Sequence, residues 1–116
     1  MKKDDLVCSN QKSAKNINLN ISKSEIKEMA YYFSIFSDIT RLKIIYILSE
    51  INEVCVCNLA PFLKISRPAA FHQLTLLEKE GLLNSTKVGK FVYYSLKNKQ
   101  IRQFIESFLD NIKRKE

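Results

Sequence analysis

Glycine and proline are almost missing from this chain, with two of each in 116 residues. That scarcity argues against a turn-rich architecture and leaves room for long helices with few sharp bends. No apolar run approaches the roughly 18 residues that a membrane span needs. The opening MKKDDLVCSNQK has no apolar core of the kind a secretory leader carries, so the expected location is the cytoplasm, with no membrane partner. Internal repeats, low-complexity tracts and a glycine-rich phosphate loop are also lacking. Histidine occurs once, at His72, and cysteine three times, at Cys8, Cys55 and Cys57. In a reducing compartment so few thiols point to metal binding or redox sensing rather than a structural disulfide.

What is present suits one small globular domain. Apolar residues make up 46% of the chain, more than a disordered sequence carries. A core of this size is thin and often needs a partner subunit or a bound ion. The formal charge of +7 is uneven: residues 1–60 hold eight Lys or Arg against seven Asp or Glu, and residues 61–116 hold eleven against five. A basic half of this kind suits a polyanion, nucleic acid first; the bland alternative is a solvated charged surface.

The pattern divides the chain at about residue 21. Residues 1–21, polar and rich in Asn, read as a flexible arm; residues 22–116 read as the folded domain. Ser22 or Ser24 caps a helix to about Phe36, with Ile26, Met29, Ala30, Phe33 and Ile35 as its apolar positions. Asp38 caps a second helix, whose stripe is Leu42, Ile45, Tyr46 and Leu48, widened by Ile44 and Ile47. A short helix covers Cys57 to Leu63. Ser66 caps the next, with Pro68 in its first turn and Gly81 just past its end. Alternating residues around Val88-Gly89-Lys90 form a β-hairpin. The last helix, over 98–113, places Ile101, Phe104, Ile105, Phe108, Leu109 and Ile112 on one wide stripe. That stripe either packs on its own domain or, given so small a core, forms a dimer interface. The fold class is therefore mostly α with a small β-hairpin, in the order helix-helix-helix-helix-hairpin-helix. This is a winged helix-turn-helix, homodimeric.

The helix that begins SRPAAFHQ offers Ser66, Arg67, Ala69, Ala70, His72 and Gln73 at its leading end. These are small residues or donors, fit to enter a major groove of double-stranded DNA. Arg67 can fork onto guanine, and Gln73 can bond an adenine edge or a phosphate. Leu74 and Leu77 hold the opposite face, and Phe71 is expected to pack with them. Lys87 and Lys90 flank the hairpin tip and are placed to grip phosphates. As a metal ligand His72 would need donors one turn away, and Pro68, Ala69, Thr75 and Leu76 supply none.

EVCVCNLA, residues 53–60, is the densest chemical signal. Two cysteines one residue apart on a regular helix face different sides. At a helix entrance, where the backbone passes from extended to helical, they can converge. Sharing one ion requires sulfurs roughly 4 Å apart, given metal–sulfur bonds near 2.3 Å. Cys8, 47 positions before Cys55, is the remaining thiol and reaches the pair in its own subunit or across a dimer. Three thiolates make a soft, sulfur-only site that suits Cd(II), Pb(II), As(III), Sb(III) or Bi(III). Zn(II) would want a fourth donor.

In FSDITRLKIIYIL, EVCVCNLA, SRPAAFHQLTLLEKEGLL and VGKFVYYSL, in that order, the span 24–113 resembles the ArsR/SmtB family of bacterial winged-helix metal-sensing repressors. The resemblance implies a homodimer on an operator that represses a detoxification or efflux operon, with metal binding weakening DNA binding. In the family's cadmium/lead branch an arm cysteine joins the CxC pair of the other subunit, and Cys8, Cys55 and Cys57 match that set. Departures are specific. A second arm cysteine is lacking, which implies three-coordination. Ala60 stands where arsenic sensors of the founding type carry a third cysteine. The final helix lacks the His of the zinc branch. Asn58 replaces a usual Asp, and Phe71 a usual Ser.

Three other readings compete. A thiol redox or persulfide sensor on the same fold would use the cysteines without a metal. An inert pair would leave a DNA-binding domain that senses nothing. An enzyme built on a Cys–His pair would lack an orienting third group and room for a substrate cleft, so no catalytic residue and no organic cofactor are expected.

Overall fold

The computed structural model describes residues 20–114. Cys8 and the expected arm up to residue 19 lie outside the described residues. The chain divides into two compact units, the first ending at Phe33 and the second beginning at Ser34.

Helix α1, Lys23–Phe36, crosses that boundary. Its start is a reciprocal capping box: the Glu25 amide donates to Ser22 Oγ at 3.1 Å, and the Ser22 amide donates to Glu25 Oε1 at 2.9 Å. Of its expected apolar positions only Ile35 is buried; Ile26, Met29 and Phe33 are exposed.

The second unit carries the rest. Helix α2, Ile39–Glu50, is capped by Asp38, whose Oδ2 accepts from the Arg41 amide at 3.0 Å. Its buried face is Ile44, Ile45, Leu48 and Ser49. Leu42 and Tyr46, expected on the core stripe, stay more than two-fifths exposed. The stripe is rotated because Ile44 and Ile45 are both taken into the core. The chain then extends as a two-residue strand, β1 (Val54–Cys55), which the sequence pattern did not announce. It turns directly into α3, Val56–Leu63.

Helix α3 ends in a Schellman turn. The Lys64 amide donates to the Pro61 carbonyl and the Ile65 amide to the Ala60 carbonyl, both at 3.1 Å. Lys64 sits at φ +59°, where glycine is usual. This turn sets the angle between α3 and α4, Arg67–Lys79. Ser66 Oγ accepts from the Ala69 amide at 3.1 Å, and Pro68 occupies the first turn, where a missing N–H costs little. The far end closes the same way: Gly81, at φ +82°, donates to the Glu78 carbonyl, and Leu82 to the Leu77 carbonyl.

Strands β2 (Leu83–Val88) and β3 (Phe91–Leu96) pair antiparallel in the register Val88 to Phe91. The connection is Gly89-Lys90, with positive φ at Gly89 alone, as a primed hairpin turn requires. β1 joins the other edge of β3, giving the sheet order β1-β3-β2 with Cys55 opposite Tyr93. Helix α5, Gln100–Arg114, closes the fold on α2. Arg102 Nε donates to the Ser49 carbonyl, which fixes that contact.

The core joins Ile44, Ile45 and Leu48 of α2 to Leu59 of α3, Leu74 and Leu77 of α4, and Leu83 and Tyr94 of the sheet. Helix, turn, helix and hairpin in this order are a winged helix-turn-helix. None of the described helices is long and apolar enough to cross a membrane.

Candidate nucleic-acid interface and thiol site

Helix α4 presents Ser66, Arg67, Ala69 and His72 to solvent at its leading end. Two of the expected DNA-facing residues are placed otherwise. Ala70 is fully buried, and its methyl fills the core between the two helices instead of facing a groove. Gln73 is half-buried, and its Oε1 accepts from Arg41 Nε at 2.9 Å, which clamps α4 to α2. Phe71 departs in the other direction. Expected to pack, it is 50% exposed and shares a cleft wall with Arg67. Lys87 and Lys90 are exposed on the wing, and Ser85 Oγ donates to Glu78 Oε2 at 2.6 Å, tying the wing to α4.

The thiol pair lies where strand becomes helix. Cys55 is extended, at φ −90° and ψ 148°, and caps α3; Cys57 lies in the first turn. The Cys57 amide donates to Cys55 Sγ at 3.4 Å. The two side chains are also within hydrogen-bonding reach of each other. Cys55 is buried, paired beside β3 opposite Tyr93, and Cys57 is half-exposed.

Their proton affinities are pulled apart. Burial pushes the Cys55 thiol up, but hydrogen bonds from the Cys57 side chain and from the backbone of Cys57, Val92 and Asn58 prevail and hold it below the ordinary thiol value. Cys57 is raised: its hydrogen bond to Cys55, then burial, then the charge of Cys55 retain its proton, while Arg67 opposes them. Cys55 therefore gives up its proton more readily than Cys57, and the two sulfurs can serve together as a dithiolate donor set. Soft, thiophilic ions fit it, and hard oxygen-seeking ions do not. Among the described residues no group of three or more His, Cys, Asp or Glu converges on one point. Cys8, the expected third sulfur, lies outside them, and His72 is not part of the pair's surroundings.

The two thiols open into a cleft of about 490 Å3. One wall is α4, through Arg67 and Phe71; the other is the wing, through Lys90, Phe91 and Val92. Sequence reasoning named Arg67 and Lys90 for DNA alone and missed that they share a cleft with the cysteines. β1 creates this proximity by pairing with β3. The only signal for it was the β-branched pair flanking Cys55, Val54 and Val56, too short to be read as a strand.

On the last helix the expected dimer stripe splits. Ile105 is buried against its own domain, which corrects its assignment to a subunit interface; Ile101 and Leu109 are half-buried. Phe104, Phe108 and Ile112 remain 44–55% exposed.

Residues 38–85 match the family described as bacterial regulatory protein, arsR family. The chain is 39% identical over 87 residues to a cadmium resistance transcriptional regulatory protein CadC homolog of Staphylococcus aureus, covering 75% of this chain and 72% of that protein. Among solved structures it superposes on the AntR antimony-specific transcriptional repressor with a TM-score of 0.74, at 24% identity, over 92% of this chain and 96% of that one. It also superposes on a homodimeric winged helix-turn-helix DNA-binding domain from Mycobacterium bovis, with a TM-score of 0.66 at 18% identity, over 81% and 89% of the two chains.

Proposed function

Since this chain belongs to the ArsR family of bacterial transcriptional regulators, we propose that it represses transcription from an operator until a soft metal or metalloid ion binds its cysteines. Both its relatives and its fold are those of DNA-binding regulators, not enzymes. The single observation that carries the ion-sensing reading is the meeting of Cys55 and Cys57 at the entrance of α3, in one cleft with Arg67 and Lys90.

In this reading Cys55 and Cys57 hold the ion and Cys8 completes a three-sulfur set. The ion itself supplies only a cross-link between thiolates. This chain's residues do the rest. Arg67, with Ser66, Ala69 and His72, reads the major groove, and Lys87 and Lys90 grip the backbone. Two such helices, one from each copy, meet half-sites about one DNA turn apart. The second copy is held through Phe104, Phe108 and Ile112, whose exposure leaves a greasy stripe on α5. Because α3 begins at Val56, between the two cysteines, and the turn at Lys64 links it to α4, drawing the two sulfurs together tilts the reading helix. Spacing between half-sites changes, and affinity falls. A coupling of about 1–3 kcal/mol corresponds to a 5–150-fold change. Cadmium is the first ion to test, given the relatedness to the cadmium-resistance regulator.

Fluorescence anisotropy on the promoter region with reduced protein tests this. Cadmium is expected to release the wild type and to leave Cys55→Ser on the duplex. Cys8→Ser should need a higher ion concentration. Undiminished DNA binding under saturating cadmium, lead and arsenite would sink the proposal. Release by oxidant or persulfide with no ion bound would favour a redox sensor instead.

A further inference from the structure

The side chain on α4 best suited to an adenine edge is engaged elsewhere. Gln73 Oε1 accepts from Arg41 Nε at 2.9 Å, and Ala70, Leu74 and Leu77 are buried in the core. Recognition of an A·T pair from this helix therefore passes to the side chains still exposed at its leading end. Phe71 is the most apolar of them. It follows Arg67 by four positions, one helical turn, and lines the same wall of the cleft. At 50% exposure its ring keeps apolar surface in water, and contact with another apolar group recovers that free energy. A phenyl ring has no strong hydrogen-bonding group, so phosphates and the polar edges of bases are poor partners for it. The apolar group displayed in the major groove is the 5-methyl of thymine, and phenylalanine is among the side chains that contact it.

We propose that Phe71 is a specificity-determining residue whose ring packs on the 5-methyl group of a thymine in each half-site. The inference rests on the reading of α4 as the helix that enters the major groove, and it names what one side chain there recognises. Four helical residues advance about 6 Å along the axis, and successive base pairs are about 3.4 Å apart. The thymine therefore lies one or two base pairs from the guanine that Arg67 forks. The methyl stands on one strand only, so the contact separates T·A from A·T as well as from G·C. It gives the helix a second base to read without a hydrogen bond.

The test uses the reduced full chain and the promoter duplex that it protects in a hydroxyl-radical footprint. Each thymine in the footprint is replaced in turn by deoxyuridine, which keeps every donor and acceptor and lacks only the methyl. Fluorescence anisotropy should find one position per half-site where the wild type loses about fourfold in affinity, and about fifteenfold when both half-sites are changed. Phe71→Ser should bind the thymine duplex more weakly by a similar factor and be indifferent to uracil at that position, so the two changes are not additive. Phe71→Leu, still apolar, should keep most of the methyl dependence. The salt slope should be the same in all three proteins, since no phosphate contact is lost.

A flat uracil scan on a duplex that the wild type prefers over random DNA would overturn this inference and leave the reading of α4 standing. So would a methyl effect that persists undiminished in Phe71→Ser, which would belong to another side chain such as Ala69. The scan on the wild type needs no variant, and Phe71→Leu repeats the comparison if Phe71→Ser loses its fold. A wild type with no preference for the promoter duplex would remove the reading of α4, and this inference with it.

Discussion

Cys55 and Cys57 lie two positions apart and titrate in opposite directions because the hydrogen bond between their side chains favours the charged form of one and the protonated form of the other, and backbone amides at the helix cap add to it on Cys55. Cys55 receives hydrogen bonds that favour its charged form, so the stability it contributes is present above the ordinary thiol pKa and is lost as pH falls through its depressed value. Cys57 has the reverse sign: its contribution is present below the ordinary value and is lost as pH rises through its raised one. Urea unfolding of the reduced chain across roughly pH 6 to 10 should therefore show a shallow maximum near the thiol range. Cys55→Ser should flatten its acid limb. Lys64 is the other residue whose environment matters more than its type. Its left-handed backbone strains any side chain with a Cβ, so Lys64→Gly should raise the unfolding free energy by about 1 kcal/mol. An unchanged denaturation midpoint would show that the turn carries no such strain.

At the scale of elements, the proposed complex divides the work between α4 and the wing: Arg67, at the leading end of α4, would read base edges, and Lys90, at the hairpin turn, would reach phosphate. Lys90→Ala should weaken binding about equally on operator and random duplex and lower the salt slope by about 1. Arg67→Ala should instead cost about 1–3 kcal/mol on the operator and narrow the gap to random DNA. Competition anisotropy at several salt concentrations separates the two outcomes. Of the elements themselves, the helices were legible because their caps are local: Ser22, Asp38 and Ser66 each bond an amide three residues on. Gly81 marked a terminus for the same reason. Lys64 gave no sign of one, since nothing about a lysine announces a left-handed turn. β1 escaped notice because two residues make a strand only when another strand is beside them.

For the whole molecule, the question is what covers α5. Ile105 goes inward, and Phe108 and Ile112, one helical turn apart, stay about half-exposed. In the proposed dimer that pair is buried between copies. Replacing both with Glu should yield a monomer in sedimentation equilibrium and abolish cooperative operator binding, with far-ultraviolet circular dichroism preserved. A chain that stays dimeric through this change would place the interface elsewhere.

Helix order, hairpin position, charge asymmetry and the CxC box are properties of neighbouring residues, and the sequence alone determined them. Periodicity, capping and turn chemistry act over a few positions and need no tertiary context. Which side of a helix is buried was decided only by the packed structure. Ala70 went to the core and Phe71 to the surface, against expectation, because α4 leans on α2 through Gln73 and Arg41. The cleft is also a tertiary fact. Cys55, Arg67 and Lys90 come from three separate segments, and they share one space only because β1 adds to the wing while α4 packs across α3. Pairing of strands distant in sequence is a long-range event, and no local pattern encodes which side chains it will bring together.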